Sequence, residues 1–304
     1  MHVVGGEHLR WSQNHHAVVA ERVVAQRRNT EGLTWIAFDL IRKFSQSRSG
    51  CEKVSVRGER QHTVGEVTAS EHTGTTNLLV AVVTGGNRGI GFEVCRQLSE
   101  IGYRVVLGSR DLQQGEVATA RLGLRDVHAV QVDVDDDASV TAAARWVAEN
   151  LGCCDVLVNN AAIDYDTDQR ASTADLGRVH RVVETNLFGA WRTTQAFLPL
   201  LRRSEHPRIV NVSSEAGSVT RMGAGPPGYQ VSKAALNALT RTLAAELERD
   251  HILVNVVCPG WTATDMGRGG RPVHDGAASV VWAVRLPDSG PTGGFFRDGQ
   301  PVPW

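Results

Sequence analysis

Lysine is almost absent from this chain. Its 304 residues carry 29 arginines but only three lysines, Lys43, Lys53 and Lys233, so Lys233 stands alone in the stretch from 77 to 304. Excess charge of either sign is also missing, since 32 basic and 33 acidic residues leave a formal net charge of -1. That balance excludes the polybasic surface that a nucleic-acid or anionic-membrane partner would meet. No apolar stretch approaches the ~18 residues of a membrane span, and residues 1–10 lack the apolar core of a secretory leader. The five cysteines, Cys51, Cys95, Cys153, Cys154 and Cys258, are odd in number and contain no C-x-x-C. They offer no disulfide framework and no structural zinc site, and they point to a reducing, cytoplasmic compartment.

What is present divides near residue 77. Residues 1–76 hold six of the eleven histidines and show no sustained periodicity, so a poorly ordered extension is expected there. A small folded domain, or a translation start placed too far upstream, are the other readings. The next methionine after Met1 is Met222, so a later start would need a non-Met codon. From 77 to 304 the pattern becomes regular. Apolar, β-branched runs at 78–84, 104–108, 127–132, 155–159, 208–213, 252–258 and 293–297 read as strands. Helical spacing follows the first of these, and helices are expected at 111–122, 136–151, 174–203, 229–249 and 275–286. Wholly apolar strands that alternate with helices predict an α/β fold. Its form is a Rossmann-type doubly wound parallel sheet of about seven strands with helices on both faces.

Three clusters carry chemistry. Thr84-Gly85-Gly86-Asn87-Arg88-Gly89-Ile90-Gly91 lies between the first strand and the first helix. Glycines there allow a sharp turn and close approach of the backbone to a pyrophosphate, which then meets the positive end of the helix. The second strand ends in Arg110, whose guanidinium fork suits the 2′-phosphate of NADP, and Arg88 can approach the same group. Asp111, one residue further, keeps an NAD preference open. Tyr229 and Lys233 are four apart at a helix start and so share a face, about 40° apart around the axis. A phenol with a pKa of about 10 is a poor base at neutrality. An ammonium ~4 Å away at an effective dielectric of ~20 is worth about 4 kcal/mol, enough to bring the phenol near neutrality.

The spacing T-G-x-x-x-G-x-G resembles the classical short-chain dehydrogenase/reductase family, and the resemblance extends through most of residues 78–304. Asn159-Asn160-Ala161-Ala162 is similar to its N-N-A-G, with Ala162 in place of the usual glycine. Tyr229-Gln230-Val231-Ser232-Lys233 matches Y-x-x-x-K, and Pro259-Gly260 matches the P-G after the sixth strand. The resemblance implies a set of cofactor contacts for NADP(H): Thr84, Gly85, Asn87, Arg88, Gly89, Ile90, Gly91, Arg110, Asp133, Val134, Asn160, Ala161, Tyr229, Lys233, Pro259, Gly260 and Thr262. It also implies a catalytic set. Tyr229 would exchange a proton with the substrate oxygen, and Lys233 would lower the Tyr229 pKa and bind the nicotinamide ribose. Ser214 would hydrogen-bond the substrate oxygen, and Asn186 would hold a relay water. Ser214 is preferred to Ser213 because Gly217 follows it by three, as in the family.

The chain as a whole resembles NADPH-dependent carbonyl reductases. The expected partner is a small ketone, aldehyde or quinone, with no metal, no nucleic acid and no membrane. Alternatives are an alcohol dehydrogenase working in the oxidative direction, a non-catalytic NADP-binding protein, and an epimerase or dehydratase relative. The last usually has more than the 44 residues that follow Gly260 here. Homo-oligomers through the helices at 174–203 and 229–249 are common in the family, and monomer, dimer and tetramer stay open.

Overall fold

The computed structural model describes residues 78–267 and 269–304. The extension expected over residues 1–76 lies outside the described residues. From Val80 the chain alternates strand and helix: β1 (Val80–Val83), α1 (Gly89–Glu100), β2 (Arg104–Ser109), α2 (Leu112–Leu122), β3 (Val127–Gln131), α3 (Asp137–Asn150) and β4 (Val156–Asn159). It continues with α4 (Leu176–Val183), a π-helical turn (Glu184–Gly189), α5 (Ala190–Leu201), β5 (Arg208–Val212), α6 (Pro227–Glu246), β6 (Leu253–Val257), α7 (Val273–Val284), β7 (Phe295–Arg297) and β8 (Gln300–Pro301). The sheet order is β3-β2-β1-β4-β5-β6-β7-β8. Its first seven strands run parallel, and only the two-residue β8 pairs antiparallel, with β7. The expected seven-stranded doubly wound sheet is therefore present with one short strand added.

The apolar strand runs follow from burial on both faces. Along β1, Val80 and Val82 enter one core, while Ala81 and Val83 enter the other. Helices α3, α5 and α6 close the first core with residues such as Val140, Phe197 and Leu236. Helices α1, α2 and α7 close the second with Val94, Leu98, Ala118 and Val280. The strand order reverses between β1 and β4, which opens a crevice at their carboxyl ends, the usual ligand position in such sheets. No helix among the described residues is long and apolar enough to cross a membrane.

The segment expected as one helix over 174–203 is broken. It begins at Leu176 behind an Asp175 cap, which accepts from the Gly177 N–H, and carries the π-helical turn at Glu184–Gly189 before α5. Such turns inside helices accompany functional positions, and this one contains Asn186.

Candidate functional site

The loop after β1 is built from its inner side. Thr84 is buried, and its hydroxyl accepts the N–H groups of Asn160 and Ala161, both at 3.0 Å. Asn160 returns its amide NH₂ to the carbonyls of Thr84 and Gly85, at 2.9 and 3.1 Å. The Gly86 N–H reaches the Gly108 carbonyl at 2.8 Å. Gly85 and Gly89 adopt φ of 62° and 56°, the left-handed region that glycine enters without strain. A Cβ on residue 91 would lie 2.3 Å from the Gly85 carbonyl oxygen and 2.4 Å from Asn160 Nδ2. Helix α1 then starts at Arg88 with no side-chain cap and no acidic residue in its first turn. Its positive end therefore faces the cleft uncompensated.

That cleft has a volume of about 540 Å³. Gly85, Asn87, Arg88, Gly89, Ile90, Gly91, Arg110, Asp133, Val134, Asn160, Ala161, Tyr229, Lys233 and Pro259 all line it. Thr84, Gly260 and Thr262 lie behind its surface and shape it. Thr262 donates to the Pro259 and Gly260 carbonyls, at 3.1 and 3.0 Å, which fixes the turn that presents Pro259. At the far end Arg110 and Asp111 both line the cleft, and Asp111 Oδ1 also caps α2, accepting from the Gln114 N–H at 3.2 Å. Arg88 reaches across the mouth to Asp265, at 3.0 Å, with both side chains mostly exposed.

Tyr229 sits in the first turn of α6, and Lys233 one turn further along. Both are buried, with relative exposures of 8% and 2%. Lys233 Nζ donates to the Val212 carbonyl at the end of β5, at 2.9 Å, and lies 5.6 Å from the centroid of the Tyr229 ring. Ser214 accepts from the Ala216 N–H at 3.1 Å and lies near enough to the Tyr229 phenol to favour its ionised form. Ser213 instead directs its hydroxyl to the Lys233 carbonyl, at 3.5 Å. Gly217 lets the segment after Ser214 lie against α6, since a Cβ there would be 2.7 Å from the Lys233 carbonyl carbon.

Asn186 lies beneath this pair and does not line the cleft. Its Oδ1 accepts from the Ile163 N–H at 2.8 Å, and its Nδ2 donates to the Ile163 carbonyl and to Ser232 Oγ, at 3.2 and 3.1 Å. Ser232 in turn donates to the Tyr229 carbonyl at 2.8 Å. The π-helical turn is thus tied to α6 through one asparagine.

Electrostatics differ from the expectation drawn from the Tyr–Lys spacing. Burial pushes the Tyr229 phenol well above the usual range. The neighbouring Cys258 thiol adds to this, and the Ser214 hydroxyl opposes it. Burial also draws the Lys233 ammonium down to about 8. Desolvation is the largest cause at both groups, because both have left water.

Sequence reasoning overlooked the loop after β4. Tyr165 packs edge-on against Tyr229, with ring centroids 5.0 Å apart, and tilts over Trp261 at 5.5 Å. Asp166 is buried at 1% and accepts from the N–H groups of Gly228 and Tyr229. The one signal for Tyr165 was scarcity, since the chain has only three tyrosines. Nothing in the local pattern marked Asp166.

A family model described as short chain dehydrogenase matches residues 79–272. The (+)-neomenthol dehydrogenase of Arabidopsis thaliana is 36% identical over 286 residues, covering 72% of this chain and 96% of that protein. The solved structure of salutaridine reductase from Papaver somniferum is similar with a TM-score of 0.65 at 31% identity, over 72% of this chain and 99% of that one. The NADPH-bound carbonyl reductase from chicken fatty liver is similar with a TM-score of 0.68 at 27% identity, over 75% of this chain and 100% of that one.

The tight packing at residue 91 is testable without any ligand. Gly91→Ala should lower the melting temperature and speed amide exchange across residues 84–91. Unchanged exchange in that segment would show that the loop does not depend on the missing side chain.

Proposed function

The chain belongs to the short-chain dehydrogenase family, and on that premise we propose that it is an NADP(H)-dependent oxidoreductase that reduces a ketone, aldehyde or quinone carbonyl to the alcohol. The observation that carries this reading is one cleft with the uncapped start of α1 and Arg110 at one end and the buried Tyr229–Lys233 pair at the other. The fit to a dinucleotide phosphate is supported by the glycine loop. Its inner face is satisfied by Thr84 and Asn160, which leaves the outer face for an anion. The Arg110 guanidinium supplies donors for a 2′-phosphate, Arg88 keeps further N–H groups beyond its pair with Asp265, and one oxygen of the neighbouring Asp111 is held as a cap. The NADPH in the similar chicken carbonyl reductase agrees with this.

When bound, NADP(H) supplies or takes up the hydride at its nicotinamide ring. The chain's own groups would do the rest. Lys233 would hold the ribose next to that ring with its ammonium. Ser214 would orient the substrate oxygen, and Tyr229 would give that oxygen a proton as negative charge develops on it. A phenol held above its usual range carries its proton at neutral pH, so the proton that reduction requires is present on Tyr229. Lys233, drawn down to about 8 by burial, gives up its proton more easily than a lysine in water. Tyr165 packs against Tyr229 and Trp261, and Met266 lines the cleft, apolar surface that suits an apolar carbonyl compound. A purely NADP-binding role would leave unexplained why Tyr229, Lys233 and Ser214 converge.

Two variants test the assignment in NADPH-oxidation assays against a panel of aldehydes, ketones and quinones. Tyr229→Phe should bind NADPH within about twofold of the parent and lose at least ~100-fold in turnover. Retained turnover would contradict its acid role. Arg110→Asp should raise the KM for NADPH by at least about tenfold, the worth of a charge-assisted contact, and leave the KM for NADH nearly unchanged. An unaltered cofactor preference would refute the phosphate assignment.

A further inference from the structure

Helix α6 delivers the proposed acid, yet it has no cap of its own. Its N-cap is Pro226, which offers no acceptor side chain, and Pro227 follows as the first helical residue. The next two N–H groups, those of Gly228 and Tyr229, are the ones a capping side chain normally satisfies. Asp166 satisfies them instead, from 62 and 63 residues upstream. Its Oδ2 accepts from the Gly228 N–H at 2.8 Å, and its Oδ1 from the Tyr229 N–H at 3.0 Å. The carboxylate is buried at 1% and sits at the positive end of the helix. Glycine at 228 leaves room for it, since a Cβ there would be 3.0 Å from Oδ2.

The loop that carries Asp166 is held separately. Arg178 on α4 binds Asp164 through Nε and Nη2, at 2.6 and 2.7 Å, and Asp168 through Nη1, at 2.7 Å. Of the three alternating aspartates, the outer two are thus held by Arg178, and the middle one is directed at α6. Tyr165, between them, meets the Tyr229 ring edge-on. The loop therefore grips Tyr229 by its backbone and by its ring.

We propose that Asp166 is a positioning residue for Tyr229: it caps α6 from the loop after β4 and fixes the height and direction of the phenol relative to Ser214. The proposal rests on the assignment of Tyr229 as the acid. It predicts a loss in the chemical step and not in cofactor affinity, because displacing a reacting group by about 1 Å can cost ~100-fold in rate while binding contacts elsewhere persist.

The test uses the full chain with Asp166→Asn, Asp166→Ala and Gly228→Ala, each assayed well below its own melting temperature. Asp166→Ala should lower kcat by about tenfold to 100-fold while the KM for NADPH moves less than about twofold. Asp166→Asn, which keeps one acceptor oxygen, should fall between it and the parent. Gly228→Ala should displace the carboxylate and lower kcat with Asp166 intact, which keeps the proposal testable if Asp166→Ala does not fold. Amide exchange at Gly228 and Tyr229 should quicken in all three. A parent-like kcat in Asp166→Ala accompanied by a lower melting temperature would reduce Asp166 to a structural cap and overturn the proposal. Unchanged exchange at those two amides would overturn it as well. If the parent protein failed to oxidise NADPH with every carbonyl compound of the panel, the reductase reading would fail first, and the exchange measurement would still decide whether Asp166 holds Tyr229.

Discussion

A lysine ammonium confined beneath a buried phenol is the constraint around which the rest of the site is arranged. Lys233 has 2% of its surface exposed and Tyr229 has 8%. Burying an ammonium is costly unless its donors are matched, and here the Val212 carbonyl at the end of β5 supplies a match at 2.9 Å. Other contacts follow from keeping α6 close enough for that bond. Gly217 removes a side chain that would collide with the Lys233 backbone. Ser232 and Asn186 tie the same turn of helix to Ile163, and Asp166 fixes its first two free N–H groups. A single facing carbonyl matches one compact ammonium and leaves most of a guanidinium's five donors unmatched, which gives a physical reason for one lysine among so many arginines.

The same burial sets the chemistry. Taken from water, the phenol is held protonated and the ammonium is drawn down to about 8. The phenol carries its proton at neutral pH, and the glycine loop and Arg110 lie in the same cleft at the opposite end. The doubly wound sheet makes that proximity natural. The ends of β1, β4 and β5 meet at the switch point, so loops distant in sequence converge over one crevice.

Much of this was legible in the sequence because burial on both faces writes a strong pattern. Each parallel strand is a continuous apolar run, and the expected ranges contain or nearly match the observed ones, as 252–258 contains Leu253–Val257. The glycine loop and the Tyr229–Lys233 spacing were visible because their conformations allow few substitutes. The π-helical turn at Glu184–Gly189 was not, since one extra residue per turn hardly disturbs apolar periodicity. Asp166 was invisible for a different reason: its partner is a helix start 62 residues away that only tertiary closure brings near. The direction of the Tyr229 shift was misjudged because spacing reports a neighbouring charge but not the loss of water around both groups.

The pH dependence of kcat/KM for NADPH, measured with a saturating carbonyl substrate, separates these two electrostatic pictures. If burial dominates, the profile is flat through neutrality and falls as pH rises through about 8, where the Lys233 ammonium is lost, with no ionisation of the phenol near pH 7. A limb near pH 6 to 7 in that profile, matched in the parent by a phenolate absorbance change over the same range that Tyr229→Phe lacks, would show that the lysine does bring the phenol to neutrality, and would contradict the account.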